Sequence, residues 1–270
     1  MSPTKGPRPG RKAIENRNPE DEHWWFASRT RALLGMLDRC VAGAERDLRV
    51  LDVGCGAGNM IHHLARYGPV LGVDSYGRPL TVAHGRGYIV SQGRGEALPF
   101  PDGSFDIVAA LDTIEHVQDE AAILRDLARV VRSPEPAEGR PGGLLVLTGP
   151  AFMALWSRND EVNHHYRRYT LGELRRKLAA HGFRVRRAGY NNFFLFPLAA
   201  ALILLRRRTG AAPDLAAPDT DADAYQVEME PASPLMNAVL SLVGRVEAAL
   251  LRYVGLPWGT GFLLIAEKVR

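Results

Sequence analysis

Cysteine is scarce in this chain, and its most continuous apolar run is too short to cross a bilayer. Cys40 and Cys55 are the two cysteines among 270 residues, too few for a disulfide framework. The longest nearly continuous apolar run, Phe193 to Leu205, has thirteen residues, which is too short for a membrane span. Residues 1–17 hold no apolar core segment, so we expect no secretory signal there. These absences predict a cytoplasmic protein in a reducing compartment.

Metal-ligand spacing and a strong charge of one sign are also missing. His164 and His165 are adjacent and therefore point in different directions, and no second group of histidines or cysteines has ligand spacing, so we expect no metal. The formal net charge is +4, and the basic residues are concentrated in the tail and between Arg158 and Arg187. The second group is a solvated basic face or a surface for an anionic substrate or lipid headgroup. We expect no nucleic-acid partner.

The most informative stretch is a glycine turn between a short apolar strand and a helix. The strand ends at Val53, the helix begins at Asn59, and the turn between them is Gly54-Cys55-Gly56-Ala57-Gly58. A dinucleotide-binding turn places its third glycine five residues after the first, whereas Gly58 comes one residue earlier. Asp52, two residues before the first glycine, would repel a phosphate but can help to hold an ammonium group. The pattern suits a cationic amino-acid nucleoside.

Two further segments agree with this interpretation and extend it to a known family. Asp74 ends a second apolar strand twenty residues after Gly54, and Glu96 to Val108 reads Glu-Ala-Leu-Pro-Phe-Pro-Asp-Gly-Ser-Phe-Asp-Ile-Val. Together with the glycine turn, these segments resemble the class I S-adenosylmethionine-dependent methyltransferases of the type 11/12-like subfamily, which is related to quinone and small-molecule methyltransferases. The resemblance implies S-adenosyl-L-methionine as cofactor and S-adenosyl-L-homocysteine as product, with Asp74 accepting from the ribose hydroxyls.

The resemblance also implies an α/β fold, a Rossmann-like seven-stranded sheet with strand order 3-2-1-4-5-7-6. Strands six and seven are normally joined by a short hairpin, but here 191–258 intervenes, which we interpret as a helical insertion. The cofactor-binding domain would then comprise 18–190 and 259–270, after a disordered basic tail at 1–17.

Two apolar helices are expected within the insertion. They cover 193–205 and 235–254 and flank a linker at 209–234, which its composition predicts to be disordered. We expect the helices to pack as a pair over the substrate side of the sheet, as a lid or as a homodimer contact. Peripheral contact with a membrane is the alternative.

The cofactor residues follow from matching the family's motifs to this sequence. The N-terminal helix of the family lies over the cofactor, which makes Arg29 a candidate partner for the methionine carboxylate; a structural role is the alternative. Arg94 stands where relatives carry an acidic acceptor for adenine, so backbone groups near Gly95 or the side chain of Glu96 would take that part. The residues expected to bind the cofactor are Asp52, Gly54, Cys55, Gly56, Gly58, Asn59, Asp74, Ser75, Gly95, Glu96, Leu111, Asp112 and Arg29.

The acceptor side is predicted on two loops that follow strands. His116, in a Glu-His pair after the fourth strand, can take a proton from a hydroxyl, or it is a buried histidine held by Glu115 or by backbone. The loop from Leu155 to Thr170 resembles the family's segment beside the substrate pocket, or its residues serve only to fold the loop. The catalytic candidates are His165, His116 and Asp160, and the substrate-binding candidates are Trp25, Tyr166 and Arg168.

These features together predict methyl transfer to a small-molecule acceptor, at oxygen in preference to nitrogen or carbon. No Asn-Pro-Pro-Tyr-like run follows the fourth strand, which argues against methylation of a nucleobase amino group. The glycine spacing disfavours a nicotinamide dehydrogenase. Two alternatives stay open, a non-catalytic S-adenosylmethionine-binding protein and a lipid- or membrane-associated methyltransferase.

Overall fold

The computed structural model describes residues 19–42, 47–209 and 233–270. The predicted tail at 1–17 lies outside these ranges, as does nearly all of the predicted linker at 209–234. The strands are β1 (Val50–Val53), β2 (Val70–Asp74), β3 (Val90–Gln92), β4 (Ile107–Leu111), β5 (Leu144–Pro150), β6 (Phe183–Asn191) and β7 (Gly261–Lys268). The α-helices are α1 (Trp24–Cys40), α2 (Ile61–Leu64), α3 (Gly77–Gly85), α4 (Glu120–Val130), α5 (Arg158–Val162), α6 (Leu171–Ala180), α7 (Phe196–Thr209) and α8 (Pro234–Leu251).

All seven strands belong to one sheet, and its order, β3-β2-β1-β4-β5-β7-β6, confirms the prediction. β1 to β5 are parallel, whereas β7 runs antiparallel to both β5 and β6. Val53 is in register with Val73 and with Ala110, so the segments that follow β1, β2 and β4 emerge side by side. The carboxyl edge of these strands is where ligands bind in open α/β sheets.

Apolar layers cover both faces of the sheet. On one face the strands pack against α4 and α6, in a cluster that includes the buried rings of Tyr169 and Phe262. On the other face they pack against α1, α2, α3 and the end of α8. Because both faces are covered, β1, β4 and β5 are nearly continuous apolar runs.

α7 and α8 lie between β6 and β7, which confirms the predicted helical insertion. Their expected pairing is wrong, because α8 packs mainly along α1. Gly244 of α8 lies directly against Ser28 of α1, where a Cβ at 244 would collide with the serine hydroxyl. α7 lies instead against residues 153–155, just after β5.

Several apolar side chains of the insertion remain open to solvent. Leu198 and Leu205 of α7 are 64% and 58% exposed, and Leu235 and Leu242 of α8 are 77% and 64% exposed. α8 is long and apolar enough to cross a membrane, the single such helix found in the described ranges, with 17% of it buried. One helix of this kind is weak evidence, so the membrane contact and the homodimer stay predictions.

Candidate active site

The turn after β1 presents backbone without side chains. Gly54, Gly56 and Gly58 have positive φ angles of 75°, 52° and 83°, which other residues rarely adopt. A Cβ on Gly54 would collide with the side chain of Thr113, and one on Gly58 would lie 2.5 Å from the ring of Tyr88. The turn therefore requires glycine, and a ligand can approach its backbone closely.

Asp74 holds this turn from the end of β2. Its Oδ2 accepts the Gly56 N–H at 2.9 Å, and its Oδ1 accepts the Tyr76 N–H at 2.9 Å. Each carboxylate oxygen can accept a further hydrogen bond, so the side chain can also receive a pair of hydroxyl groups. This position fits the predicted ribose contact.

Asp52, the third residue of β1, is a buried carboxylate with 2% of its surface exposed. Burial, followed by repulsion from Asp74, raises the pKa of Asp52 to about 7. A cation bound beside Asp52 would favour its ionised form, since an opposite charge stabilises a carboxylate. The site thus fits the predicted contact with an ammonium group.

Two residues of the turn have partners within the protein. The Cys55 thiol packs so closely on Gly72 that a Cβ added to Gly72 would lie 2.7 Å from the sulfur. The Cys55 thiol is part of the core, and a contact of the Cys55 backbone with the cofactor stays a prediction. Arg86 Nη1 donates to Asn59 Oδ1 at 2.8 Å and to the Ala57 carbonyl at 2.9 Å, which fastens the turn to the end of α3.

The loop after β3 carries the predicted adenine contacts. Gly95 is closely packed, since an added Cβ would lie 2.7 Å from Ile123 Cδ1. Glu96 Oε1 accepts from Arg94 Nη2 at 2.8 Å, so one carboxylate oxygen is already engaged. The contact of Gly95 or Glu96 with adenine stays a prediction.

Ser75 and Leu111 are placed at strand ends along the same edge. Ser75 follows β2 directly, is exposed to solvent, and its carbonyl accepts the Gln92 side-chain amide at 2.9 Å. Leu111 is the last residue of β4 and is only partly buried. Both positions are compatible with the predicted cofactor contacts.

An ion pair joins α1 to the end of β4. Arg29 Nη1 contacts Asp112 Oδ2, and Asp112 Oδ1 accepts from the Thr148 hydroxyl at 3.1 Å. The Arg29 guanidinium also lies over the ring of Trp25, 4.4 Å from its centroid. The structure thus brings Trp25, Arg29 and Asp112 to the carboxyl edge, with the charge of Arg29 shared with Asp112 within the chain. A contact of Arg29 with the methionine carboxylate stays a prediction.

A second group of polar side chains meets beside this edge. One ligand atom each of Glu115, His116 and His165 lies within 4.8 Å of the others. The rings of His116 and His165 stand edge to face, with centroids 4.7 Å apart. The Tyr166 N–H donates to the Glu115 carbonyl at 2.8 Å, which ties the loop after α5 to the segment after β4. Tyr166 itself is 52% exposed and lies at the surface of this region.

Asp160 positions His165 from inside the protein. It is fully buried, and its Oδ1 accepts from His165 Nδ1 at 2.9 Å. Arg168 donates to both carboxylate oxygens, from Nε and Nη2, each at 2.8 Å. Burial raises the pKa of Asp160, but hydrogen bonds from His165 and Arg168 outweigh it and bring the pKa to about 2. These contacts fit support of His165 by Asp160 and Arg168, and the catalytic role of Asp160 and the substrate contact of Arg168 stay predictions.

Glu115 has no comparable partner. It is 1% exposed, and neither carboxylate oxygen accepts a hydrogen bond in the described part of the chain. Burial raises the pKa of Glu115 to about 8. His116 lies on the open side of the group; desolvation and the nearby His165 lower the pKa of His116, against a hydrogen bond to the Asn163 backbone.

Sequence reasoning does not reach Glu115 as a site residue. The available signal is its position, because a Glu-His pair directly after a buried strand of a parallel sheet falls at the carboxyl edge. Its burial without a partner depends on the loop that carries His165, forty-nine residues later than His116, and no local pattern shows that contact.

Comparison with known proteins agrees with the geometry. A family profile described as a methyltransferase domain matches residues 51–135. A protein from Mycolicibacterium smegmatis, named a probable S-adenosylmethionine-dependent methyltransferase, is 32% identical over 174 residues, 61% of this chain and 61% of that protein. These matches show that the chain contains a methyltransferase domain similar to those of S-adenosylmethionine-dependent methyltransferases.

Other relatives of this chain differ in the atom named as acceptor. A ubiquinone biosynthesis O-methyltransferase from Parvibaculum lavamentivorans is 32% identical over 131 residues, 46% of this chain and 48% of that protein. An ajmaline N-methyltransferase from Rauvolfia serpentina is 31% identical over 119 residues, 38% of this chain and 41% of that protein. The matches thus span about two fifths to three fifths of these relatives.

Solved structures share the fold of this chain. One from Galdieria sulphuraria, titled a "putative sarcosine dimethylglycine methyltransferase", has a TM-score of 0.57 and 17% identity, with 94% of this chain and 91% of that one covered. The cyclase SpnF has a TM-score of 0.52 and 21% identity, with 91% and 82% covered. At these identities the likeness concerns the fold alone.

The residues present fit S-adenosylmethionine, the cofactor of this family. The positive-φ glycines leave backbone open to the ligand, Asp74 has acceptor capacity for two hydroxyls, and the buried Asp52 favours a cation. These features come from two neighbouring strands, β1 and β2, which the parallel register holds side by side.

Proposed function

We propose that this chain transfers a methyl group from S-adenosylmethionine to a hydroxyl oxygen of a small-molecule acceptor. The observation that carries the proposal is the pair formed by His165 and the buried Asp160 beside the cofactor edge. Because an ionised carboxylate only accepts, Nδ1 of His165 carries the hydrogen in this contact. Nε2 is then the nitrogen that can accept a proton from a bound hydroxyl.

The reaction needs little more than alignment and a place for one proton. When bound, the cofactor supplies a methyl group that leaves its sulfonium for the acceptor oxygen, so that a methyl ether and S-adenosylhomocysteine form and one proton is released. His165 takes that proton at Nε2, and the Asp160 carboxylate stabilises the imidazolium across 2.9 Å. Arg168 keeps Asp160 in place through its two contacts.

The proton acceptor is the reason for preferring oxygen over nitrogen. A neutral amine already offers its lone pair to an electrophile, whereas a hydroxyl becomes a strong nucleophile only as it loses its proton. The names of the relatives include both O- and N-methyltransferases and so leave the atom open. We expect a cytoplasmic enzyme that acts on a small molecule, with the exposed ring of Tyr166 at the rim of the site.

Paired acceptors test this proposal. The purified chain is incubated with S-adenosylmethionine and phenols or catechols, each matched with its aniline analogue, and products are measured by mass spectrometry. We expect methyl ethers from the hydroxyl member of a pair. His165→Ala should lower turnover by about 10²–10⁴-fold, as for loss of a general base, and change the affinity for S-adenosylhomocysteine only a few-fold.

The neighbouring residue supplies a matched control. His164 is exposed with a φ of 54°, which asparagine tolerates, so His164→Asn should turn over like the wild type. Methylation of the amines alone would contradict the proposal. Tight cofactor binding without turnover on either member of any pair would favour the non-catalytic alternative.

A further inference from the structure

Glu115 is a buried acidic side chain that the proposed proton transfer does not use. Both of its oxygens are orphaned among the described residues, although a buried polar group without a partner costs about 1–3 kcal/mol. The space beside it is kept by Gly149, where an added Cβ would lie 3.2 Å from Glu115 Oε2. A buried, unpartnered carboxylate of this kind calls for a ligand that carries positive charge.

Two imidazoles complete a donor set around this carboxylate. Asp160 engages Nδ1 of His165, which leaves Nε2 of that ring for a ligand, and His116 lies on the solvent side of the group. Metal-binding histidines commonly have this arrangement, in which the second nitrogen donates to a carboxylate or a backbone carbonyl. One atom each of Glu115, His116 and His165 lies within 4.8 Å of the others.

We propose that Glu115, His116 and His165 bind a divalent transition-metal ion beside the methyl-transfer site. Two imidazole nitrogens and one carboxylate suit zinc, iron, cobalt or manganese and leave coordination positions open. The exposed side of His116 gives the ion access from solvent. The sequence-based expectation of no metal considered His164, His165 and Asp160, whereas the fold places the donors on two separate loops and assigns Asp160 to the support of His165.

The ion would also change how the acceptor hydroxyl loses its proton. An open position can take the acceptor oxygen, and a bound cation lowers the pKa of such a hydroxyl. The hydroxyl proton would then pass to water, and His165 would be a ligand in place of a base. This role rests on the proposed function, whereas metal binding itself does not.

Cobalt(II) is the probe for a direct test without cofactor or acceptor. The protein is stripped with a chelator and titrated with Co²⁺, whose visible absorption reports nitrogen coordination, and Zn²⁺ then displaces it. We expect one equivalent to bind with histidine coordination. Glu115→Gln, which is nearly identical in shape, should lower the affinity for this Co²⁺ ion by about 100-fold. Asp160→Asn should lower it by about 10–100-fold, as expected for a residue that orients a metal ligand.

A second cluster of possible metal ligands lies elsewhere in the chain, so the titration needs a control. Asp21, His62 and His63 also lie within 4.8 Å of one another, but both oxygens of Asp21 are already engaged by the two histidines. His63→Gln should leave the strong equivalent unchanged. A purely structural Glu115 would alter the melting temperature in Glu115→Gln and leave the Co²⁺ titration unaltered.

The outcomes separate this inference from the proposed function. The metal site is overturned if the wild type binds no Co²⁺ strongly. It is also overturned if Glu115→Gln still binds the strong equivalent of Co²⁺ while His63→Gln loses it. Methyl-ether formation that survives the chelator would then leave His165 as the base. Metal binding at Glu115 without methyl transfer to any acceptor supports the site and contradicts the function.

Discussion

Three buried carboxylates of this site differ in charge because their neighbours differ. Asp160 is surrounded by donors, and its pKa falls to about 2, while Glu115 has no partner among the described residues and its pKa rises to about 8. Asp52 lies near a second carboxylate, and its pKa rises to about 7. The side chains of Asp52 and Glu115 therefore favour a cation, whereas Asp160 is already paired.

Asp52→Asn should stabilise the ligand-free protein at pH 8. The pKa of Asp52 is about 7 in the folded protein, whereas its ordinary pKa is 3.8. Between these two pH values the unfolded chain ionises Asp52 more readily than the folded protein does, so the free energy of unfolding falls as the pH rises from about 4 to about 7. Thermal unfolding should show a higher melting temperature for the variant at pH 8 and a smaller difference at pH 5. The same variant should bind S-adenosylhomocysteine more weakly, since the ammonium partner is lost.

Asp102→Asn provides the control for this measurement. Asp102 is 82% exposed, so its charge carries little desolvation cost, and its substitution should move the melting temperature only slightly at either pH. Equal melting temperatures for Asp52→Asn and the wild type at pH 8 would show that Asp52 has another charge partner in solution.

At the residue scale, sequence reasoning succeeds where the chemistry is local. The glycine turn and Asp74 are close in sequence and fixed by backbone geometry, so their roles can be inferred from spacing. Arg168 and Glu115 could not be resolved in this way. Whether Arg168 meets a substrate or Asp160, and whether Glu115 finds a partner, depends on how separate loops fold against each other.

At the element scale, Glu247 joins α8 to the chain segment that enters α7. It is buried, and its carboxylate accepts the backbone N–H groups of Asn192 at 2.6 Å and of Phe194 at 3.4 Å. These amides precede the first turn of α7. α8 thereby fixes the start of α7, while the body of α7 lies against residues 153–155 after β5.

Glu247→Ala should lower the free energy of unfolding by about 1 kcal/mol, because it leaves two partly buried backbone donors without their acceptor. Glu247→Gln keeps one acceptor oxygen and should lose less. Urea unfolding monitored by circular dichroism measures both variants. A midpoint for Glu247→Ala equal to that of the wild type would show that water replaces the carboxylate at no cost.

The two helices of the insertion could be predicted, but their partners could not. Apolar content and periodicity indicate where α7 and α8 form, since these are properties of the segments themselves. The pairing of α8 with α1 depends on a close approach at Gly244 and Ser28, which lie far apart in sequence. Such complementarity does not show in hydrophobic patterns.

At the scale of the whole molecule, the sheet order brings the chemistry to one edge. β1, β2 and β4 and the turns after them carry most of the predicted cofactor residues, and the loops after β4 and β5 carry Glu115, His116 and His165. This order was predicted through the resemblance to a known family, because composition and periodicity alone do not specify the order of strands. The exposed apolar side chains of α7 and α8 have no role assigned to them.

Calorimetric titration with S-adenosylhomocysteine tests the central claim most directly. The wild type should bind one equivalent, and Gly56→Val should bind at least about 10-fold more weakly, because the turn has a φ of 52° there and a side chain blocks backbone contact. Gly139→Val is the matched control, since Gly139 has a φ of 66° with open space around it, and should bind like the wild type. Equal binding by folded Gly56→Val, or no binding by the wild type, would contradict the assigned site.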